Sequence, residues 1–339
     1  MEKSTNIDSI GFLLHIYPCC NHCRYCCWPK HLDNLPFYRY VRVMERFLDW
    51  KEREGRVKTI SSHILWTHAL MTYDQSKKFR ELSFRGGYHP LELQMDGCIF
   101  MPEDDLERIL EGHRRAGYDR YSMTLTGFRD LHDLWAGRKG EFDFLMLMAK
   151  IAAHLGYERQ ENILISQSSI PQLQQLTDCL DSLSGKRIRF VKPVGYGMGS
   201  HYMEKERITR ADIPRIPPNL LPYTDFAFDD KSGVHPYRLV KTEKEWISWI
   251  QNHSVEVQHN TSLGIHMESG NIDYLESASC DDICKEYFEQ HIKELQQMPE
   301  IVALCDKYGD PSNEKLYHLY EIDSKWTHAY RVEHNLPLL

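Results

Sequence analysis

Residues 11–27 read GFLLHIYPCCNHCRYCC. An apolar, strand-like run, Gly11–Tyr17, passes directly into a loop that holds five cysteines. Cys19, Cys23 and Cys26 stand in the spacing C-x-x-x-C-x-x-C. A cubane iron–sulfur cluster needs one outside ligand on each of its irons, so three thiolates on one short loop leave one iron open. An open iron points to catalysis. A fourth protein ligand from Cys20, Cys27 or His22 would instead close the loop into a structural zinc site or an electron-transfer cluster, and a frame of Cys20, Cys23 and Cys27 is also available.

The chain around this loop has 339 residues, 42% of them hydrophobic and 27% charged, enough for one large barrel and a smaller appendage. Its ten cysteines are not those of a secreted disulfide scaffold, because MEKSTNIDSI has no signal-peptide pattern and no apolar run is long enough to span a bilayer. They read as reduced thiols of a cytoplasmic protein. The formal net charge of −8 argues against a general affinity for nucleic acid, which relies on Lys and Arg at phosphates.

Beyond the loop, strand-like and helix-like segments alternate with a period of about 30 residues, the length of a βα unit. Strands are expected at Gly11–Tyr17, Val57–Trp66, Leu91–Phe100, Tyr118–Leu125, Asn162–Ser168 and Arg187–Val194. Helices are expected at Tyr38–Arg53, Asp74–Phe84, Glu103–Arg115, Phe142–Leu155 and after Pro171. Six unbroken units predict an α/β fold, a partial (β/α)6 TIM-like barrel over residues 1–213. Prolines at 214, 217, 218 and 222 break the pattern, and 214–339 is expected to be a smaller α+β domain that caps the barrel or recruits substrate. Within it, Leu263–Ile272 reads as a hairpin strand turning at Ser269-Gly270-Asn271, residues 235–260 as helical around WISWI, and Cys284–Tyr308 as a helix.

The cysteine loop, with Tyr25 just before its last cysteine, resembles the cluster motif of the radical S-adenosylmethionine (SAM) superfamily, and this order favours the frame Cys19, Cys23, Cys26. Further motifs arrive in the order of that superfamily's peptide-modifying, SPASM-like branch. Met95-Asp96-Gly97-Cys98 is similar to its Thr-Asn-Gly, and Thr124-Leu125-Thr126-Gly127, Leu131-His132-Asp133 and RKGEFDF are similar to its Ser-Leu-Asp-Gly, His-Asp, Arg-Gly and Gly-x-Phe series. The resemblance implies a [4Fe-4S] cluster on Cys19, Cys23 and Cys26 whose open iron chelates SAM. It implies an oxygen-sensitive enzyme that reductively cleaves SAM and abstracts hydrogen from a peptide or small natural-product substrate, fed by a donor such as flavodoxin or ferredoxin. Modification of a nucleoside or RNA, and a scaffold without radical chemistry, are the rival readings.

By the same resemblance Tyr25, Thr124, Arg138, Ser168 and the glycines Gly195 and Gly197 of GYGMG face the cofactor. Thr124 and Arg138 suit a carboxylate, and the glycines allow close approach to adenine. Each has a plainer reading: Thr124 as barrel filler, Arg138 as a helix-start ion pair. His132-Asp133 is expected to be a turn that caps the next segment. The superfamily's Gly-Gly-Glu after the second strand is missing, since ISSHILWTHAL stands there; Ser62, with Ser61 and His63, is the substitute contact. Cys98 is a candidate hydrogen-atom donor for an epimerisation, or else a small buried residue. TSLGIHMESGNIDYL resembles the stretch that opens the branch's auxiliary-cluster region, yet the cysteine due after it is absent. Only Cys280, Cys284 and Cys305 remain, which argues against an auxiliary cluster.

Overall fold

The computed structural model describes residues 7–14, 16–26, 34–64, 71–90, 92–193, 205–206, 208, 210–224 and 261–296. Among them are strands β1 (Ile7–Leu14), β2 (Thr59–Ile64), β3 (Glu92–Gln94), β4 (Arg120–Leu125), β5 (Glu158–Ile165), β6 (Arg187–Pro193) and β7 (Thr261–Met267). Helices α1 (Phe37–Glu54), α2 (Tyr73–Gly86), α3 (Glu103–Arg115), α4 (Asp130–Ala136), α5 (Glu141–His154) and α6 (Leu173–Asp181) connect the first six strands, and α7 (Ile272–Ser277) and α8 (Cys280–Gln296) follow β7.

All paired strands are parallel, in two sheets ordered β2-β1-β7 and β3-β4-β5-β6. The first six strands keep the sequential order of a (β/α)6 partial barrel, with an open seam between β2 and β3. Parallel strands place all their C-terminal ends on one side, where a βα architecture builds its sites. The cysteine loop follows β1 on that side.

Alternation along the strands separates two faces. In β2 Ile60, Ser62 and Ile64 are buried while Ser61 and His63 are not, and in β5 Arg159, Glu161, Ile163 and Ile165 are buried while Glu158, Gln160, Asn162 and Leu164 are partly open. The buried face packs on the helices. α1, for example, presents Tyr40, Val43, Met44, Phe47 and Leu48 at helical spacing to the core and ends at Gly55 in the left-handed conformation. The other face is polar and cross-bonded between strands: Gln160 donates to Glu92 (3.2 Å), Ser122 to Gln94 (2.8 Å), and Arg120 pairs with Glu158.

Four expectations change. The segment read as a hairpin is β7, which runs parallel to β1 with Ile10 beside Leu263 and Leu14 beside Met267, and the chain then turns into α7. Its alternation is that of a half-buried strand, and alternation does not reveal direction. β3 is short because Asp96-Gly97 leaves the strand, with Gly97 at φ +73°. β5 begins at Glu158 rather than Asn162, since both of its faces carry polar residues at that end. α4 lies where only a turn was expected. Gly195, Gly197, Cys305 and the WISWI segment lie outside the described residues.

The segment 261–296 is tied to the first βα unit by α1. Arg39 pairs with Glu276 (2.6 Å), Arg42 with Glu276 (3.0 Å), and Arg46 donates to the carbonyls of Leu275 and Ala278 at the end of α7.

On the helix side of β5 and β6, Glu161 is fully buried and accepts from Arg159 (2.6 Å) and Arg189 (2.5 Å), while Arg159 also donates to the carbonyls of Leu180, in the last turn of α6, and Ser184, beyond it. Among the described residues, removing the shared anion would leave the buried Arg159 without an ion-pair partner and Arg189 with only the partly exposed Asp181 (2.8 Å). Glu161→Ala is expected to lower the unfolding free energy by about 3–5 kcal/mol, seen as a lower denaturation midpoint of the metal-free protein; a midpoint equal to wild type would contradict this.

Candidate iron–sulfur site

The loop of Cys19, Cys23 and Cys26 is held by three neighbours rather than by its own secondary structure. Cys20 N donates to the Gly97 carbonyl (2.9 Å), just beyond β3. His22 N and Arg24 N donate to the carbonyls of Ala136 (2.7 Å) and Trp135 (2.8 Å), at the end of α4. Cys26 N closes a turn onto the Cys23 carbonyl (3.2 Å). Tyr25, the aromatic of the motif, packs with Leu131 and Leu164 against the buried Trp135 and hydrogen-bonds the Cys23 thiol. Tyr17, at the head of the loop, donates to Gln75 (3.0 Å), the residue that completes the capping box of α2.

Two glycines let the loop dock this closely. A Cβ on Gly97 would lie 2.1 Å from Cys19 Sγ, and one on Gly137 would lie 2.6 Å from the His22 carbonyl oxygen. Both residues have positive φ, +73° and +64°, so each is glycine for space and for conformation.

Electrostatics explain what the loop awaits. Burial pushes the Cys19 thiol up to about 12, and Asp96, Cys26 and Glu141 add to the shift. Burial raises Cys23 further, with the charges of Cys19, Asp96 and Cys26 in the same direction. Thiols that resist ionising beside one another and beside carboxylates are stabilised as thiolates only by a cation. The donor set is sulfur, Gly97 sets bare backbone rather than a side chain against Cys19 Sγ, and the buried Asn21 Oδ1 has no hydrogen-bond partner among the described residues. Among the described residues no group of three or more His, Cys, Asp and Glu is gathered as ligands of one metal ion. A cubane offers its irons at separate corners, so its thiolates need not converge. The three cysteines fit an iron–sulfur cluster, with Cys20 as a backbone anchor.

Beside the loop, Asp96 accepts from Thr124 N (2.8 Å) and from Gln94, and burial raises its carboxyl to about 7. Thr124 thus stands on the polar face at the end of β4, next to Asn162 in register on β5. Ser168 lies just past β5, with its hydroxyl 3.0 Å from that of Ser166 and its N–H on Glu206 (2.9 Å). Ser62 is a correction: it is buried on the helix side of β2, between the Tyr40 hydroxyl (3.3 Å) and Met44 Sδ (3.3 Å), so strand alternation turns it away from the polar face. Ser61 and His63, bonded to each other at 3.1 Å, occupy that face instead.

Arg138 is committed to protein partners. Its guanidinium donates to the Cys98 carbonyl (2.5 Å), pairs with Glu141 (3.2 Å) and lies over the Phe100 ring. Cys98 itself is fully buried in the apolar core, a placement that matches the packing role left beside the donor role. Asp133 accepts from Gly140 N and Phe142 N (2.9 Å), which caps the start of α5 as expected of the His-Asp turn. Cys280 and Cys284 are buried on α8. Asp96 and Glu141 stand within quoted motifs, yet neither they nor Asn21 has a role assigned from the sequence, where they look like loop and helix-start residues until the fold joins them.

No known protein family matches the chain, and no curated protein is similar to it in sequence. Solved structures with a similar chain path include SuiB of Streptococcus suis bound to S-adenosylmethionine (15% identity, TM-score 0.44, 62% of this chain and 46% of that one). Another is coproporphyrinogen III oxidase, HemN, of Escherichia coli, described as a radical SAM enzyme (12%, 0.44, 66% and 53%). A third is native anSMEcpe with bound AdoMet (14%, 0.38, 53% and 51%). This chain therefore spans about half the length of each. At such identities and TM-scores the likeness decides nothing by itself, and the cysteine loop with its supports carries the reading below.

Two outcomes follow from the site. Gly97→Ala places a methyl group where Cys19 Sγ lies and adds about 1–2 kcal/mol of backbone strain; iron bound after anaerobic reconstitution is expected to fall below about half of wild type, measured as iron per folded chain. His132 is buried with its pKa lowered by burial to about 4. A folded-state value below the ordinary 6.5 gives stability that is complete above pH ~6.5 and lost as pH falls toward 4. His132→Leu is expected to flatten that limb of the stability curve, by on the order of 3 kcal/mol across the window, in denaturation midpoints taken from pH 7 to 4.

Proposed function

We propose that the chain is a radical SAM enzyme. The observation that carries this is the C-x-x-x-C-x-x-C loop at the C-terminal end of β1, seated against the glycine turn after β3 at the polar face of a parallel βα architecture. Cys19, Cys23 and Cys26 hold a [4Fe-4S] cluster, and their number leaves one iron for SAM. When bound, the cluster and SAM supply a one-electron cleavage that yields a 5′-deoxyadenosyl radical, which takes hydrogen from substrate.

The chain's own residues bind and orient. The loop's backbone anchors fix the thiols before metal arrives, Tyr25 shields Cys23, and Asp96 holds the end of β4 so that Thr124 faces the cofactor side. Ser61 and His63 on β2 stand where a contact to the SAM amino group is needed in the absence of a Gly-Gly-Glu. In this reading Ser168 is a cofactor contact, as Gly195 and Gly197 are by the resemblance. The apolar sheet-helix core behind the polar face excludes water from one side.

The substrate class we favour is a peptide or small natural product, with epimerisation, cross-linking or rearrangement as the outcome and residues 214–339 as the recruiting or capping part. Net charge disfavours a nucleoside in RNA. A flavodoxin- or ferredoxin-like donor in the cytoplasm supplies the electron. Among the described residues no helix is long and apolar enough to cross a membrane.

Anaerobically purified protein is expected to be brown, with about four irons per chain, and to form 5′-deoxyadenosine from SAM under a strong reductant. Joint replacement of Cys19, Cys23 and Cys26 by Ala abolishes both. A four-iron cluster surviving in that variant, or zinc bound in place of iron, overturns the proposal. Cys98→Ala is expected to give the same product and to cost about 1 kcal/mol of stability; loss of product with continued 5′-deoxyadenosine formation would restore the donor role.

A further inference from the structure

Glu141 is the first residue of α5, a position where an acidic side chain ordinarily points into solvent and favours the helix dipole. Here it is fully buried. Oε1 accepts from Asn21 Nδ2 of the cysteine loop (2.8 Å) and from Gly97 N after β3 (3.1 Å), and Oε2 accepts from Arg138 (3.2 Å). Two of the partners, Asn21 and Gly97, come from segments distant in sequence, and both bear directly on the loop. Asn21 lies between Cys19 and Cys23. Gly97 is the residue whose α-carbon crowds Cys19 Sγ and whose carbonyl takes the Cys20 N–H.

We infer that Glu141 is a positioning residue that clamps the cysteine loop to the β3 turn, setting the thiols in their cluster-binding arrangement before metal arrives. This rests on reading the loop as a cluster site. Oε1 is the shared point of the clamp. Without it two donors are left buried and unbonded, a condition that favours local opening of the loop. Arg138 braces the carboxylate from behind by donating also to the Cys98 carbonyl, one residue past Gly97. Asn21, oriented through its amide nitrogen, is left with a buried, unpartnered Oδ1, so Glu141 also decides which way that acceptor faces.

A helix-start role and a clamp predict different things. Glutamine keeps an Oε1 acceptor for Asn21 and Gly97, whereas leucine removes it and leaves α5 capped by Asp133. Alkylation of Cys19, Cys23 and Cys26 in the metal-free protein, followed by peptide mass spectrometry with Cys179 as internal reference, reads the loop directly. Glu141→Leu is expected to raise the loop rate about tenfold and Glu141→Gln by no more than about twofold. Asn21→Ala, which leaves α5 intact, reproduces the increase, and the double variant adds little to it because both changes break one clamp.

Iron per chain after reconstitution follows the same order, high for Gln and low for Leu. Wild-type alkylation rates in a folded Glu141→Leu or in Asn21→Ala overturn the clamp, as does failure of Gln to rescue. If the alkylation pattern holds while the wild-type protein takes up no iron, the clamp stands and the cluster reading falls.

Discussion

Between Cys19 Sγ and the α-carbon of Gly97 there is room for hydrogen and nothing larger. This contact joins the first βα unit to the third across the seam where β2 and β3 are not paired. The hydrogen bond from Cys20 N to the Gly97 carbonyl and the Glu141 contacts to Asn21 and Gly97 lie within a few residues of it. The cysteine loop is therefore part of what joins the two sheets, and Gly97 permits that close approach. A side chain at position 97 would push the loop away from the turn after β3.

Polarity is distributed in a way that a simple barrel core would not tolerate. The helix-facing side of β5 and β6 buries Arg159, Glu161 and Arg189, a cluster that is costly to desolvate and strongly destabilising to break. The opposite face is lined by Glu92, Gln94, Ser122, Thr124, Gln160 and Asn162. A face so polar does not fill itself with apolar layers, as a closed barrel interior does, and it suits a ligand with amino, carboxylate and hydroxyl groups. The absent Gly-Gly-Glu matters less against this background, because hydrogen-bond partners are supplied by several strands rather than by one.

The period of the βα units and the three cysteines are legible because each depends on local pattern: apolar repeat and spacing. β7 was misread because a half-buried strand shows its period and not its partner, and its parallel neighbour β1 lies some 250 residues away. β5 began late for a related reason. Glu158 to Glu161 reads as a loop unless one knows that Arg159 and Glu161 neutralise each other against Arg189. Ser62 was assigned to the site on proximity in sequence, and only the strand's phase shows that Ser61 and His63 share the face instead. Glu141 gave no signal, since an acid opening a helix is ordinary until its burial is seen.

The resemblance has an amide where this chain has Asp96, and that difference adds an acidic group beside the loop. Asp96 and Glu141 set two carboxyl groups near the thiols, and burial raises the pKa of each carboxyl as well as those of Cys19 and Cys23. Burial and the neighbouring acidic groups make the charged form of each of these groups less favourable in the metal-free loop than in water. In the proposed reading, iron would offset that cost by stabilising the thiolates. The backbone anchors keep the loop in place through the unfavourable state, and Glu141, braced by Arg138, ties Asn21 to the Gly97 turn so that charge repulsion does not push the loop open. The shape of such a site is fixed in advance by hydrogen bonds to the fold.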